Sequence, residues 1–81
     1  MQLFDEKYSY NKNMEIGNII RQLRKEKKLS QTELAREIFT TQDTISLWEL
    51  GKSLPDAMSI VKLAKFFDVS ADYLLGLEDL Y

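Results

Sequence analysis

The 81 residues contain no histidine and no cysteine, which removes much of the side-chain chemistry by which proteins turn substrates over. There is no imidazole to serve as a general base and no thiolate to attack. The common metal cages go with them. Ser30, Ser46, Ser59 and Ser70 have no imidazole to activate them, no glycine-rich phosphate loop is present, and the carboxylates are scattered. The chain is therefore not read as an enzyme, and nothing in it calls for a cofactor or a metal. What is left is recognition chemistry: amides, hydroxyls and charges that hydrogen-bond to something else. One stretch gathers them, Gln31 to Leu50, which reads QTELAREIFTTQDTISLWEL.

Two short helices must position that stretch. The first is expected over Gln31–Ile38, with Leu34, Ala35 and Ile38 spaced for one buried face. Ser30 precedes it and Glu33 follows three residues on, the pattern of a capping box, in which two orphan backbone donors are satisfied reciprocally. The second begins after Thr41, a natural N-cap, and buries Ile45 and Trp48 at i, i+3. Trp48 reads as core rather than as a stacking platform. Between the helices lie only Phe39, Thr40 and Thr41, enough for a tight turn. Two helices so joined form a helix-turn-helix, whose second helix can lie in the DNA major groove.

The rest of the chain supplies the support. Residues 1–13 show neither a helical nor an alternating period and read as a flexible tail, or as an arm on a second subunit because Phe4, Tyr8 and Tyr10 are many aromatics for a solvated segment. From about Met14 a helix is expected, with Asn13 as cap, Ile16, Ile19, Ile20 and Leu23 inward, and a basic end RKEKK that suits the helix dipole. Gly51 fits the left-handed position that ends a helix, and Pro55 bars immediate re-entry. Asp56 then caps a fourth helix with Ile60, Leu63, Ala64 and Phe67 at core spacing. Ser70 caps a short fifth, with Leu74 inward; Leu75, Leu77, Leu80 and Tyr81 follow with little chain to cover them, and either fold back on the core or, the favoured reading, form a subunit contact. The fold class is all-α, a compact five-helix domain over residues 14–81 with the helix-turn-helix at helices 2 and 3.

Bulk composition is that of one soluble domain, and no apolar run approaches the ~20 residues of a membrane span. With no signal-peptide pattern at the start, the expected location is the cytoplasm. The formal net charge is −2, an awkward sum for a partner of phosphate. Its distribution is uneven: Glu15–Glu37 carries six cations against four acids, +2, whereas Phe39–Asp56 carries one cation, Lys52, against three acids, −2. The second helix of the pair has no Lys or Arg at all.

The blocks LRKEKKLSQTELA, TISLWELGK and LAKFFDVSADYLLGLED, with their order and loop lengths, resemble the lambda-repressor-like, or Xre-type, helix-turn-helix family, from about Ile16 to Asp79. The resemblance implies a DNA-binding domain with double-stranded DNA as partner. By it Gln31, Thr41, Thr44, Lys52 and Ser53 correspond to contacts with the DNA backbone, those of Lys52 and Ser53 through the main chain. Gln42 resembles a base reader, since a glutamine there can pair bidentately with adenine N6 and N7. Asp43, Ser46 and Leu47 fall on the same outward face. Arg24 and Glu49 correspond to a pair that bridges the first and third helices in this family. Without the resemblance, Gln31 would read as a good helix starter and Glu49 as one more solvated acid.

This chain also departs from the family pattern. Phe39 stands where the family usually has the turn's glycine, and a bulky residue in a left-handed conformation is an outlier, so a reshaped turn with a longer first helix is expected. Leu47 and Leu50 occupy positions that are often polar or basic in relatives. The function expected is a sequence-specific DNA-binding transcriptional regulator, a repressor binding a palindromic operator as a homodimer. The alternative keeps the fold but binds a protein partner through an apolar, acid-rimmed surface of Phe39, Leu47, Leu50 and Leu54.

Overall fold

Helix starts fall where the capping residues predict them. The computed structural model describes residues 16–77. It contains five helices: α1 (Ile16–Glu26), α2 (Gln31–Glu37), α3 (Gln42–Glu49), α4 (Ala57–Phe67) and α5 (Ala71–Leu74). Ser30, Thr41, Asp56 and Ser70 each accept a hydrogen bond from the backbone amide three residues on. In α2 the box is complete: Glu33 N donates to Ser30 Oγ at 3.0 Å and Ser30 N to Glu33 Oε1 at 2.8 Å. The cap expected at Asn13, the arm over residues 1–13, and the contacts of Leu80 and Tyr81 lie outside the described residues. There is no strand among those described, and no helix of the structure is long and apolar enough to cross a membrane.

All five helices end in the same way, through a left-handed residue after the last turn. The residues are Lys28 (φ 60°), Phe39 (63°), Gly51 (77°), Asp68 (57°) and Gly76 (75°). Each amide of these residues, and the amide after it, folds back on the closing turn. After α3, Gly51 N donates to Trp48 O and Lys52 N to Leu47 O; after α2, Phe39 N donates to Arg36 O and Thr40 N to Ala35 O. This is the Schellman arrangement, which satisfies carbonyls a helix end would otherwise leave open. Glycine takes the left-handed position without steric cost, yet only two of the five sites have it.

The core is one cluster from every helix: Ile19, Ile20 and Leu23, Leu34, Ala35 and Ile38, Ile45 and Trp48, Leu63 and Phe67, and Leu74. Ile16, Ile60 and Ala64 pack at its edge. Fully burying an aliphatic side chain of this size stabilises by about 1.5–3 kcal/mol, so Ile45 and Trp48 root α3 firmly by one side. Gly17, inside α1, lies against α3 so closely that an added Cβ would collide with the Trp48 carbonyl oxygen. Its spacing alone gives no hint of that role beyond the oddity of a glycine within a helix.

Candidate nucleic-acid interface

Rooted on Ile45 and Trp48, α3 turns its opposite side outward. Gln42 and Asp43 are exposed, Leu47 is 42% exposed, and Ser46 is half-buried. Thr41 caps the helix, its Oγ1 accepting from Thr44 N at 3.2 Å and sitting 2.9 Å from Thr44 Oγ1. The two threonines therefore stand together at the helix start. The acid of the first turn is Asp43, and no cation occupies the last turn.

Beneath this edge lies a connected polar chain. Arg24 of α1 donates through Nε to Glu49 Oε2 at 2.7 Å and through Nη2 to Oε1 at 3.0 Å, a bidentate pair whose side chains are 11% and 4% exposed. Its Nη1 donates to Leu29 O at 2.8 Å, tying the α1–α2 connection to the same group. The hydrogen bonds to Glu49 raise the guanidinium's pKa above its already high ordinary value, outweighing burial. Gln31 Nε2 donates to Glu49 Oε1 at 3.0 Å, and Gln42 Nε2 donates to Gln31 Oε1 at 2.7 Å. Glu49 is thus a member of a part-buried network rather than a solvated acid. The contact between Gln31 and Gln42 is one the separate sequence roles of the two residues did not suggest.

At the far end of α3 the backbone amides of Lys52 and Ser53 both donate to Leu47 O, at 2.9 and 3.4 Å. The reading that gave those amides to phosphate needs revision, because the helix end already uses them; the exposed side chains of Lys52 and Ser53 remain available. Phe39 also differs from expectation. Helix α2 stops at Glu37 with Ile38 as its C-cap, so it does not run on, and the turn keeps its form with Phe39 forced into the left-handed region. The Phe39 ring is 85% exposed, with the Lys62 ammonium 5.7 Å from its centroid. Thr40 N to Ala35 O, at 2.9 Å, closes the turn, between the buried Ile38 on one side and Ile45 on the other.

A helix-turn-helix family model matches residues 20–74, more than half of the chain. The chain belongs to the helix-turn-helix family. Among relatives, this helix-turn-helix chain is 40% identical over 67 residues to the HTH-type transcriptional activator BcrR of Enterococcus faecalis, covering 83% of the chain and 33% of BcrR. It is 36% identical over 69 residues to the HTH-type transcriptional regulator DicA of Escherichia coli, covering 84% of the chain and 51% of DicA. The chain thus spans between a third and about half of the length of these relatives. Among solved structures, the P22 c2 repressor in complex with a synthetic operator is similar with a TM-score of 0.74 and 32% identity, over 78% of this chain and 96% of that one. The helix-turn-helix domain is therefore of the lambda-repressor-like, Xre-type kind, and the names of these relatives are those of regulators, not enzymes.

Proposed function

We propose that the chain is the DNA-binding part of a sequence-specific transcriptional regulator, with α3 entering the major groove of double-stranded DNA. The observation that supports this best is Gln42, exposed at the start of α3 beside the outward Asp43, Ser46 and Leu47, with its amide braced by Gln31. The relatives' names and the operator-bound P22 c2 repressor point the same way. In this reading Gln42, Asp43, Ser46 and Leu47 face base edges. Gln31, Thr41, Thr44, and the side chains of Lys52 and Ser53 hold the DNA backbone, and the basic residues of α1 add sequence-independent attraction. Arg24 and Glu49 hold α1 and α3 together beneath that surface.

The protein acts as a homodimer on a palindromic operator, two half-sites about 34–36 Å apart, in the cytoplasm. Repression fits because occupancy of the operator is enough for it. The exposed Leu75 and Leu77 are the residues assigned to the dimer. Fluorescence anisotropy with duplexes enriched from a random-sequence pool, at several salt concentrations, tests the whole reading. Saturable binding that weakens with salt and enrichment of a palindrome are expected; no saturable binding at low salt, with the dimer intact, would refute it.

One further observation favours a second surface. Phe39, Leu50 and Leu54 are 85%, 65% and 76% exposed, large apolar side chains of the kind that mark interaction surfaces when they lie together. A protein-interaction module using those residues with Leu47 is the alternative. Leu47→Arg separates the two: if Leu47 faces base edges, saturable DNA binding persists or strengthens with an altered base preference, whereas capture of a protein partner is lost if Leu47 belongs to an apolar interface.

A further inference from the structure

Helix α3 carries two acids, and they stand on different terms. Glu49 is held by Arg24, with its side chain 4% exposed. Asp43 is exposed, and among the described residues it has neither a hydrogen bond nor an ion pair. No cation lies three or four places from it along the chain: Phe39 and Thr40 precede it, Ser46 and Leu47 follow. A carboxylate in the first turn suits the positive end of the helix dipole, which explains an acid at this point of the free protein. It does not explain an acid on the side that faces a duplex. Between two rows of phosphates a carboxylate loses water and is repelled, whatever the sequence beneath it. Only a donor on a base edge offsets that.

Donors are few in the major groove. A carboxylate only accepts, and neither guanine (two acceptors, N7 and O6) nor thymine (O4 and a methyl group) has a hydrogen to give it. Adenine has the N6 amino group, but N7 stands beside it as an acceptor, so one carboxylate oxygen gains a hydrogen bond while the other meets a lone pair. Cytosine offers its N4 amino group with no acceptor next to it on the same base. The order for Asp43 is therefore cytosine, then adenine, with guanine and thymine rejected. With no Lys or Arg anywhere on α3, no cation of the helix itself softens that rejection.

We infer that Asp43 is a specificity-determining residue that makes the operator cytosine-dependent: the base facing it must present the cytosine amino group, and an oxygen in that place is turned away. This rests on the DNA-binding reading above and adds to it the base that one outward side chain requires. Discrimination here comes as much from a penalty on wrong sequences as from the bond made to the right one.

The test enriches duplexes from a random-sequence pool with the full chain, then remakes the enriched site with each base pair at every position. Fluorescence anisotropy compares the wild type, Asp43→Ala and Asp43→Asn on that set, with circular dichroism to check that the variants stay helical. The position facing Asp43 is the one whose preference changes in Asp43→Ala. There the wild type is expected to favour cytosine over thymine or guanine by roughly tenfold or more. Asp43→Ala should bring the four bases close to equal. Asp43→Asn should move the preference to adenine, whose N6 and N7 an asparagine can pair with together. On duplexes lacking the site both variants should bind roughly twofold more tightly or better, because a charge repelled by phosphate is gone.

The wild type alone supplies a result that no misfolded variant can spoil: an enriched half-site without a required cytosine overturns the inference. So does a gain in affinity shared by all duplexes with the preference unmoved, which would make Asp43 a source of general repulsion only. So does a loss of stability in Asp43→Ala with every base preference kept, the mark of a role confined to the helix start. Each of these leaves the DNA reading standing. A pool that enriches nothing with the wild type or with either variant sinks the DNA reading, and the cytosine requirement with it.

Discussion

The two ends of α2 are built on opposite terms. At its start, geometry and residue type agree: Ser30 and Glu33 cap each other, and Gln31 is held from both sides by Glu49 and Gln42. At its end they conflict, because Phe39 occupies a left-handed position that a β-carbon disfavours, with its ring 85% exposed. A left-handed L-residue costs about 1–2 kcal/mol, and the burial of Ile38 and Ile45 on either side of the turn holds the backbone there regardless. The contrast teaches that in this motif the angle between α2 and α3 is set by the core. The polar start adds orientation to side chains already placed, and the turn residue is free to be whatever else the surface requires.

If that is right, the largest loss should come from stranding a charge beneath the polar edge. Glu49→Ala leaves the Arg24 guanidinium, 11% exposed, without its carboxylate, and breaking a buried pair from one side costs about 3–5 kcal/mol. The substitution should lower the urea midpoint accordingly, and Arg24→Met with Glu49→Met should recover most of the loss. Equal destabilisation by the single and double substitutions would mean that the pair itself, and not the stranded charge, carries the stability.

The turn should respond more weakly, and in the reverse direction. Phe39→Gly removes the left-handed strain but adds backbone freedom to the unfolded chain and removes the contact with Lys62, terms that largely offset, so a small net gain of under about 1 kcal/mol is expected. Gly51→Ala, at φ 77°, should lose about 1–2 kcal/mol for the same steric reason. Thermal unfolding of the two variants beside the wild type reads both signs at once. If Phe39→Gly is destabilising, the exposed ring is held by something stronger than the Lys62 ammonium, and the strained end of α2 is not a pure cost.

Local signals carried much of this fold in the sequence. Ser30, Thr41, Asp56 and Ser70 announce four helix starts because capping chemistry is written in residue type, and the apolar spacing of Leu34, Ile45, Leu63 and Leu74 marks core faces. One of the five helix ends was legible for the same reason, through Gly51. The ends at Lys28, Phe39 and Asp68 were not, since only the closing hydrogen bonds and the packing around them put those residues in the left-handed region. The same limit applies to the candidate interface. Outward position along α3 follows from helical period, but the bond between Gln31 and Gln42 joins side chains eleven residues apart and depends on the crossing of two helices. Gly17 was illegible in a further sense: its reason, contact with the backbone of Trp48, lies on another helix entirely.

The smallest expected effect concerns the two carboxylates that cap helices, Glu33 at α2 and Asp56 at α4. Hydrogen bonds from the backbone amides of Ser30 and Ser59 respectively, with those residues' hydroxyls as further causes, hold both below their ordinary pKa values. The native state therefore binds fewer protons than the unfolded chain as pH falls, so stability rises with pH across that window. The contribution is complete above the ordinary carboxylate values, about 3.9 for Asp and 4.3 for Glu, and is lost as pH falls through the depressed native ones. Asp56→Asn keeps a side-chain oxygen that can cap Ser59 N but cannot titrate. Its thermal midpoint should match the wild type near neutrality only within the small cap difference, and should fall less steeply between pH 5 and pH 3, flanking those ~3.9 and ~4.3 values. Parallel curves for the two proteins would show that the exposed Asp56 carboxylate is screened too well for its charge to matter, and would predict the same for Glu33, which is equally exposed.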